Sequence, residues 1–231
     1  AGVGTGNAGT LVYGDTVSAG TIRFQDLTYA DTFNGELSGP SSSGSNIAWV
    51  VAKNAPTRDE VVVGHYKLDG RLDVLTCTGG CDAASEMAAA WNKTGVSAAV
   101  VCGGSGSNCA RPFDIGYEAL SGKALVVFGL TSTDGQINYC RYDGSAWDPS
   151  SCTTPSTYTF NSGSTVDTDL IRLIPRSQKL KGQRSNEILM VLTDDNEDLF
   201  AAIWDGSAWG NLPTIPTSSH DDRNWVFDGA W

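Results

Sequence analysis

The sequence is poor in the residues that carry most enzyme chemistry. Its 231 residues include only two histidines, His65 and His220. His65 stands inside an apolar run, where a packed strand residue is expected. His220 lies between Ser219 and Asp221, but the members of a hydrolase triad must converge from separate elements, so these neighbours are not interpreted as one. Together with the lack of a P-loop, these features predict that the protein is not an enzyme.

Basic residues and long apolar runs are also scarce. Lys and Arg number 15 against 26 Asp and Glu, which gives a net charge of −11. So acidic a chain is not expected to bind the phosphate backbone of nucleic acid. No apolar run approaches the roughly 20 residues of a membrane-spanning helix, so no membrane span is expected. The small, flexible residues 1–10 resemble an end left by a processing peptidase, and with the acidic surface they predict an extracellular or cell-surface protein.

What the sequence does contain is a repeated hexapeptide. Residues 142–147 read Tyr-Asp-Gly-Ser-Ala-Trp, and residues 204–209 read Trp-Asp-Gly-Ser-Ala-Trp. Asp-Gly favours a tight turn because Asp bonds to the backbone ahead of it and Gly accepts a positive φ. A position that recurs in different units is better explained by a turn than by catalysis, and ligand contact is the main alternative. We therefore predict structural turns at Asp143, Gly144, Trp147, Asp205, Gly206 and Trp209.

The duplication extends beyond the hexapeptides. Residues 47–77 resemble residues 170–204, and residues 10–24 resemble residues 125–139. These runs are rich in β-branched and aromatic residues and lack helical periodicity, which predicts an all-β chain with strands such as Gln136–Tyr142 and Leu199–Trp204. Three or four strands per unit favour a small, about four-bladed, β-propeller-like meander repeat. A two-sheet β-sandwich is the alternative.

We interpret residues 1–231 as a single repeat domain. Its two ends are predicted to complete one blade, because the terminal strand resembles residues 111–117 and the chain starts with what should be a second strand. This completion would occur either in cis or by strand donation, which would make another copy or a filament chain the partner. The Ser/Thr/Pro-rich residues 149–159 are expected to form an exposed loop. The units are predicted at about residues 9–35, 45–95, 110–155 and 168–212, with the terminal strand at 223–231.

The six cysteines fall into three short-range pairs. Each pair is expected to close a loop as a disulfide, which implies an oxidising compartment. Zinc is the alternative, but no matching histidine pair accompanies the cysteines. The predicted pairs are Cys77 with Cys81, Cys102 with Cys109, and Cys140 with Cys152.

Two further sites are suggested by short motifs. Asp194, Asp195, Asn196 and Asp198 belong to a dense acidic run whose oxygens could hold Ca²⁺, although the spacing is not that of an EF-hand and a solvated loop is the alternative. No other cofactor is expected. Asn92 begins an N-glycosylation sequon, with an unmodified turn as the alternative.

The hexapeptide hairpins resemble the short Asp/Gly/Trp repeats of propeller lectins and the Asp-box hairpins of sialidases. An Asp box carries Ser two positions before the Asp and Gly two positions after it, whereas here Gly144 and Gly206 follow the Asp directly. The repeat is also similar to arrays in secreted prokaryotic surface proteins. In the lectins and sialidases the turn is scaffold and the ligand contacts lie elsewhere, so the resemblance implies a propeller fold and leaves the binding residues open.

Three functions are compatible with these features. We expect first a non-enzymatic extracellular structural protein, such as the subunit of a pilus-like filament, because the terminal half-units, the disulfides and the few catalytic groups favour it. The alternative is a secreted, lectin-like carbohydrate-binding module, since seven tryptophans offer aromatic faces on which glycans can stack. A glycoside-processing enzyme, which needs two carboxylates at a defined separation, is the least expected.

Overall fold

The computed structural model shows an all-β chain. In the part of the chain that the structure describes, sixteen strands form four antiparallel sheets and there is no α-helix. The predicted all-β, propeller-like meander is confirmed, and four separate sheets replace the two-sheet alternative. The described residues are 7–15, 20–41, 45–79, 81, 92–96, 111–129, 135–149, 152, 154–160, 168–176, 186–194 and 198–211.

The first two sheets are meanders in which neighbours along the chain are neighbours in the sheet. Tight turns make this possible, such as the turn between the middle strands of the second sheet, where Gly70 has a φ of +84°. The first sheet contains β1 (Asn7–Gly14), β2 (Thr21–Thr28) and β3 (Leu37–Ser41). The second sheet contains β4 (Ile47–Asn54), β5 (Glu60–Lys67), β6 (Leu72–Thr78) and β7 (Asn92–Val96).

The third and fourth sheets are also meanders, and the third has one additional strand that pairs outside the meander. The third contains β8 (Phe113–Tyr117), β9 (Ala124–Gly129), β10 (Gln136–Tyr142), β11 (Trp147–Asp148) and β12 (Ser156–Thr159). The fourth contains β13 (Thr168–Pro175), β14 (Ile188–Asp194), β15 (Leu199–Trp204) and β16 (Trp209–Asn211). The expectation of a loop over residues 149–159 is wrong for β12, because the chain returns past Cys152 and β12 pairs antiparallel with β10. The third sheet therefore extends beyond the unit predicted at 110–155.

The interleaved repeat is visible where the sheets meet. β1 and β9 both end in a glycine that contacts the first residue of the next sheet. A Cβ on Gly14 would lie 2.7 Å from Ile47 Cβ, and a Cβ on Gly129 would lie 3.0 Å from Thr168 Cβ. A side chain at either position would push the two sheets apart. β1 is therefore the counterpart of β9, the second strand of its sheet.

Each sheet packs on the next, and a separate hydrophobic cluster fills each of the three seams. The first seam, between the first and second sheets, includes Phe24 and Val63. The second seam, between the second and third sheets, includes Phe113. The third seam, between the third and fourth sheets, includes Met190 and Trp204. Because the two middle sheets contribute to a seam on each face, β5 and β9 are buried along their whole length.

Two of the predicted disulfides are present. Cys77 at the end of β6 is bonded to Cys81, with Cα atoms 5.9 Å apart, and Cys140 in β10 is bonded to Cys152, with Cα atoms 5.5 Å apart. All four cysteines are buried. Each bond fastens the third strand of its meander to the segment that follows it, as expected for a loop closure.

Some predictions concern positions outside the described ranges. These are the Cys102–Cys109 pair, the terminal strand at 223–231, and the short serine, histidine and aspartate run at 219–221. Within the described ranges, no helix has the length and apolar character required to cross a membrane.

Candidate functional site

The two hexapeptide turns share one hydrogen-bonding pattern. Oδ1 of Asp143 accepts three hydrogen bonds, from Ser145 N at 2.9 Å, Ser145 Oγ at 2.8 Å and Ala146 N at 2.9 Å. Asp205 accepts the three equivalent bonds, each at 2.8 Å. One carboxylate oxygen therefore organises the whole turn, which is the Asx arrangement that Asp-Gly sequences favour.

The same bonds fix the charge of both aspartates. The backbone N–H of Ala146, followed by the N–H and hydroxyl of Ser145, holds the pKa of Asp143 at about 2. The pKa of Asp205 is lowered in the same way, first by the N–H of Ala208. A carboxylate that stays ionised and accepts three local bonds is poorly matched to proton transfer near neutral pH. These contacts place both side chains within the turns.

The two turns differ in what lies beside the glycine. Gly144 has a φ of +99° and Gly206 a φ of +101°. A Cβ on Gly144 would lie 2.7 Å from Arg58 Nε, whereas a Cβ on Gly206 would lie 3.2 Å from Asn186 Cβ. Nε of Arg58 also lies 2.7 Å from the buried carboxylate of Glu60. Moving Arg58 away from the turn would therefore break this ion pair.

We expect Gly144→Ala to lower the free energy of unfolding by about 1–3 kcal/mol, because alanine would be held at a positive φ and would displace Arg58. Gly206→Ala is the matched control, because it puts alanine at a similar positive φ beside Asn186, which lies farther from the new Cβ than Arg58 does. Its loss of unfolding free energy should therefore be smaller. Urea unfolding of both variants measures the difference. Equal losses would show that displacing Arg58 adds no cost to the backbone strain.

An aromatic cluster lies at the third seam. Trp204 ends β15 and pairs directly with Trp209, which begins β16. The ring of Tyr139 from β10 packs edge-on against both, with centroids 5.4 Å from Trp204 and 6.0 Å from Trp209. Tyr158 from β12 stacks on Trp209 with centroids 5.5 Å apart and an interplanar angle of 26°. We call these four residues the aromatic cluster.

The cluster runs from the core to the surface. Trp204 is fully buried, whereas Tyr139, Tyr158 and Trp209 are half-buried. β12 and β16 are outer strands of the third and fourth sheets, so the stacked Tyr158–Trp209 pair lies at the outer rim of the seam. The indole nitrogen of Trp209 is shielded from water and has no hydrogen-bond partner among the described residues. The rim thus combines accessible aromatic faces with a buried donor.

Arg141 joins this rim from β10. Its guanidinium lies over the Trp204 ring, with Cζ 5.5 Å from the centroid. Nη1 donates to the carbonyl of Gly206 at 3.2 Å, and Nη2 is paired with the carboxylate of Asp148. The second hexapeptide turn is therefore fastened to the third sheet by a cation that also covers an aromatic face.

Buried carboxylates lock neighbouring sheets together. The Tyr117 hydroxyl from the third sheet donates to Glu60 Oε1 of the second at 2.8 Å, and the Trp204 indole from the fourth donates to Glu118 Oε1 of the third at 2.8 Å. Burial, and then the carboxylate of Glu60, raises the pKa of Tyr117. Because these carboxylates are buried and occupied by bonds across the seams, we assign them a structural role.

A second buried group, which the sequence did not point to, lies on the face of the second sheet that packs on the first. Lys67 is only 2% exposed, and its Nζ lies 3.1 Å from Asp73 Oδ2. His65, paired directly opposite Asp73, places Nε2 3.2 Å from the same oxygen. Burial would raise the pKa of Asp73, but His65 and Lys67 outweigh it and hold that pKa below its usual 3.8. His65 is thus packed inside the sheet, as its apolar neighbours predicted.

The remaining predicted positions are dispersed. Oδ1 of the buried Asp194 accepts from the N–H of Asp198 at 2.9 Å, while Asp195 and Asn196 lie outside the described residues. Among the residues that the structure describes, no three His, Cys, Asp or Glu side chains are grouped as a metal site. The calcium site stays a prediction. Asn92 begins β7, opposite Thr76, rather than standing in a turn.

Comparison with known proteins gives likenesses to solved propeller structures. No family model matches the chain, and no curated protein matches it in sequence. NanB sialidase from Streptococcus pneumoniae is 13% identical with a TM-score of 0.49, over 79% of this chain and 26% of the sialidase. Aleuria aurantia lectin, in complex with Fucalpha1-6GlcNAc, is 13% identical with a TM-score of 0.48, over 91% of this chain and 58% of the lectin. The chain thus spans about a quarter of the sialidase, and the fold assignment rests on the four sheets themselves.

Proposed function

We propose that the protein binds carbohydrate at the outer rim of the third seam, without catalysing a reaction. The observation that carries this proposal is the stacked, half-exposed pair of Tyr158 and Trp209, next to the Trp204 ring that the guanidinium of Arg141 covers. A pyranose ring has an apolar C–H face that packs on an aromatic ring, and hydroxyl groups that need polar partners. The rim supplies both kinds of group within one short stretch of surface.

The polar groups at the rim suit a neutral ligand that carries many hydroxyls. Arg141 has five N–H donors, which allows it to keep its bonds to Gly206 and Asp148 and still approach a sugar oxygen. The indole N–H of Trp209 is shielded from water, so we do not count it among the ligand contacts. These groups favour a sugar over a purely apolar ligand.

The proposal includes no catalytic step. A glycosidase needs one carboxyl to donate a proton and a second carboxylate across the scissile bond. Asp143 and Asp205 have lowered pKa values, and Glu60 and Glu118 accept bonds across seams. We assign these four side chains to the scaffold, and the rim to binding alone.

A glycan array with the whole purified chain tests this function. The matched pair of variants is Trp209→Ala and Trp147→Ala, because both tryptophans end a hexapeptide while only Trp209 stacks on Tyr158. We expect Trp209→Ala to weaken glycan binding by about 10-fold or more, since it removes the stacking platform. Trp147→Ala should leave the affinity within about twofold, because that ring packs on Tyr142 at the second seam.

Circular dichroism of both variants controls for loss of folding. If no glycan binds the wild-type chain, or if both tryptophan variants lose binding equally while folded, the rim of the third seam is not the site. Disulfides persist in oxidising compartments, so the two bonds support the proposal that this activity lies outside the cell.

A second function, that of a structural surface subunit, is favoured by one observation. The outer faces of the first and fourth sheets carry exposed or partly exposed apolar side chains, among them Leu11, Leu199 and Ile203. Contiguous exposed apolar surface marks an interaction site in a soluble protein. The self-association experiment in the next subsection tests whether the protein is such a structural subunit.

A further inference from the structure

The fourth sheet exposes a face that its counterpart in the chain buries. In the second sheet, Val62, Leu72 and Val74 point into the second seam and are fully buried. The repeat places Leu189, Leu199 and Ala201 at the equivalent positions of the fourth sheet, on the face turned away from the third sheet. All three are partly exposed. We call this surface, which also includes Ile203, the buried Val191 and, opposite Val191, Arg172, the trailing face.

The first sheet exposes the face whose counterpart in the third sheet is buried in the second seam. In the third sheet, Val126 and Phe128 of β9 are fully buried against the second sheet. Since β1 is the counterpart of β9, Leu11 and Tyr13 hold these two positions in the first sheet, on the face turned away from the second. Leu11 is 46% exposed. We call this surface, which also includes Leu27 and Phe33 and the polar side chains of Arg23 and Gln25 opposite Tyr13 and Leu11, the leading face.

The second seam shows how faces of these two kinds pack together. The second seam is formed by a trailing face of the second sheet against a leading face of the third, and it buries a continuous apolar cluster. Among the described strands, those that pack closely on the fourth sheet belong to the third, and those that pack closely on the first sheet belong to the second. The trailing face of the fourth sheet and the leading face of the first therefore repeat the two halves of a seam, and the described strands of these two sheets do not pack closely on each other.

We propose that the protein associates head to tail with a second copy of itself, the trailing face of one copy packing on the leading face of the next. The contact would be a further seam of the kind that joins the second and third sheets. It is heterologous, so two or more copies either close a ring or continue as a filament, depending on the rotation between copies. The inference does not rest on carbohydrate binding, because neither face includes the rim of the third seam.

Sedimentation velocity of the whole chain over a range of concentrations, with one variant in each face, tests this association. Leu11→Asp places a charge in the leading face, and Ala201→Asp places one in the trailing face. Each should weaken self-association by roughly 100-fold, because the carboxylate would lose its hydration when the contact buries it. Leu120→Asp adds the same charge at a side chain that is 61% exposed on neither face, and it should associate as the wild type does.

Mixing the two face variants separates a head-to-tail contact from a symmetric one. Leu11→Asp retains a normal trailing face and Ala201→Asp retains a normal leading face, so the mixture should form a dimer that neither variant forms alone. Circular dichroism verifies folding, and Leu11→Ser with Ala201→Ser replaces any variant that unfolds.

Three results would overturn the proposal. The first is a wild-type chain that stays monomeric at every concentration, as expected if the faces are covered within one chain. The second is association that survives both face substitutions. The third is a mixture of the two face variants that fails to pair although the wild type associates.

Discussion

Asp73→Asn should lower the free energy of unfolding by about 3–5 kcal/mol, because it leaves a buried ammonium without its counter-charge. Lys67 is buried beside this carboxylate at 3.1 Å, and His65 approaches the same oxygen at 3.2 Å. Asparagine keeps the shape of the side chain but removes the charge, so the loss reports electrostatics rather than packing. Denaturant unfolding at pH 7 measures it.

The same substitution should remove part of the acid sensitivity of the fold. The pKa of Asp73 lies below its unfolded value of 3.8, so its contribution is fully present above that pH. The contribution is lost as the pH falls through the folded pKa, where the native carboxylate is forced to take up a proton. In a pH series below about 4, the wild type should therefore lose stability more steeply than Asp73→Asn.

Asp69→Asn provides the control for a surface ion pair. Asp69 lies in the turn after β5 and approaches the exposed Arg71 at 3.9 Å. We expect a change of only about 0–1 kcal/mol, since solvent screens such pairs. A loss at Asp73 no larger than the loss at Asp69 would contradict the role assigned to the buried group.

Trp204→Ala is the second substitution with a large expected effect, a loss of about 3–5 kcal/mol in the free energy of unfolding. Trp204 is among the largest fully buried side chains, and its removal would leave a cavity at the third seam. It would also leave Glu118 without the indole donor at 2.8 Å. Chemical denaturation under non-reducing conditions, with both disulfides intact, gives the difference.

Trp204→Phe separates the two causes. Phenylalanine keeps most of the buried ring but cannot donate to Glu118, so about 1–3 kcal/mol should be lost. If Trp204→Phe is as stable as the wild type, the bond across the seam contributes nothing and the whole effect of Trp204→Ala is packing. Trp147→Ala, which alters the half-buried ring of the first hexapeptide, should cost less than Trp204→Ala because less surface is buried there.

Local patterns predicted the strands and their turns well. β10 and β15 have the bounds expected from their apolar and β-branched runs, and the Asp-Gly turns follow from the chemistry of those two residues. β12 was missed because its Ser/Thr-rich sequence carries no apolar alternation, and it becomes a strand only through pairing with β10. The burial of Lys67 was missed because its partner Asp73 lies on another strand.

Only two of the four residues of the aromatic cluster could be predicted from the sequence to pack together. Trp204 and Trp209 are the two ends of the second hexapeptide, and the sequence predicts that they pack over its hairpin. Their partners Tyr139 and Glu118 come from a different sheet, and the Glu118–Trp204 bond joins residues 86 positions apart. No spacing rule links such positions, since the contact exists only once the third and fourth sheets are placed side by side.

The seams have a consequence for how the molecule comes apart. Each sheet is held by its immediate neighbours, so the free energy is approximately a sum of sheet terms and nearest-neighbour terms, as in linear repeat arrays. Among the described strands, those of the two middle sheets pack closely on a neighbouring sheet on each side, and those of the two end sheets pack closely on one. Partial opening therefore starts at the ends and moves inwards, and the innermost amides exchange their hydrogens last.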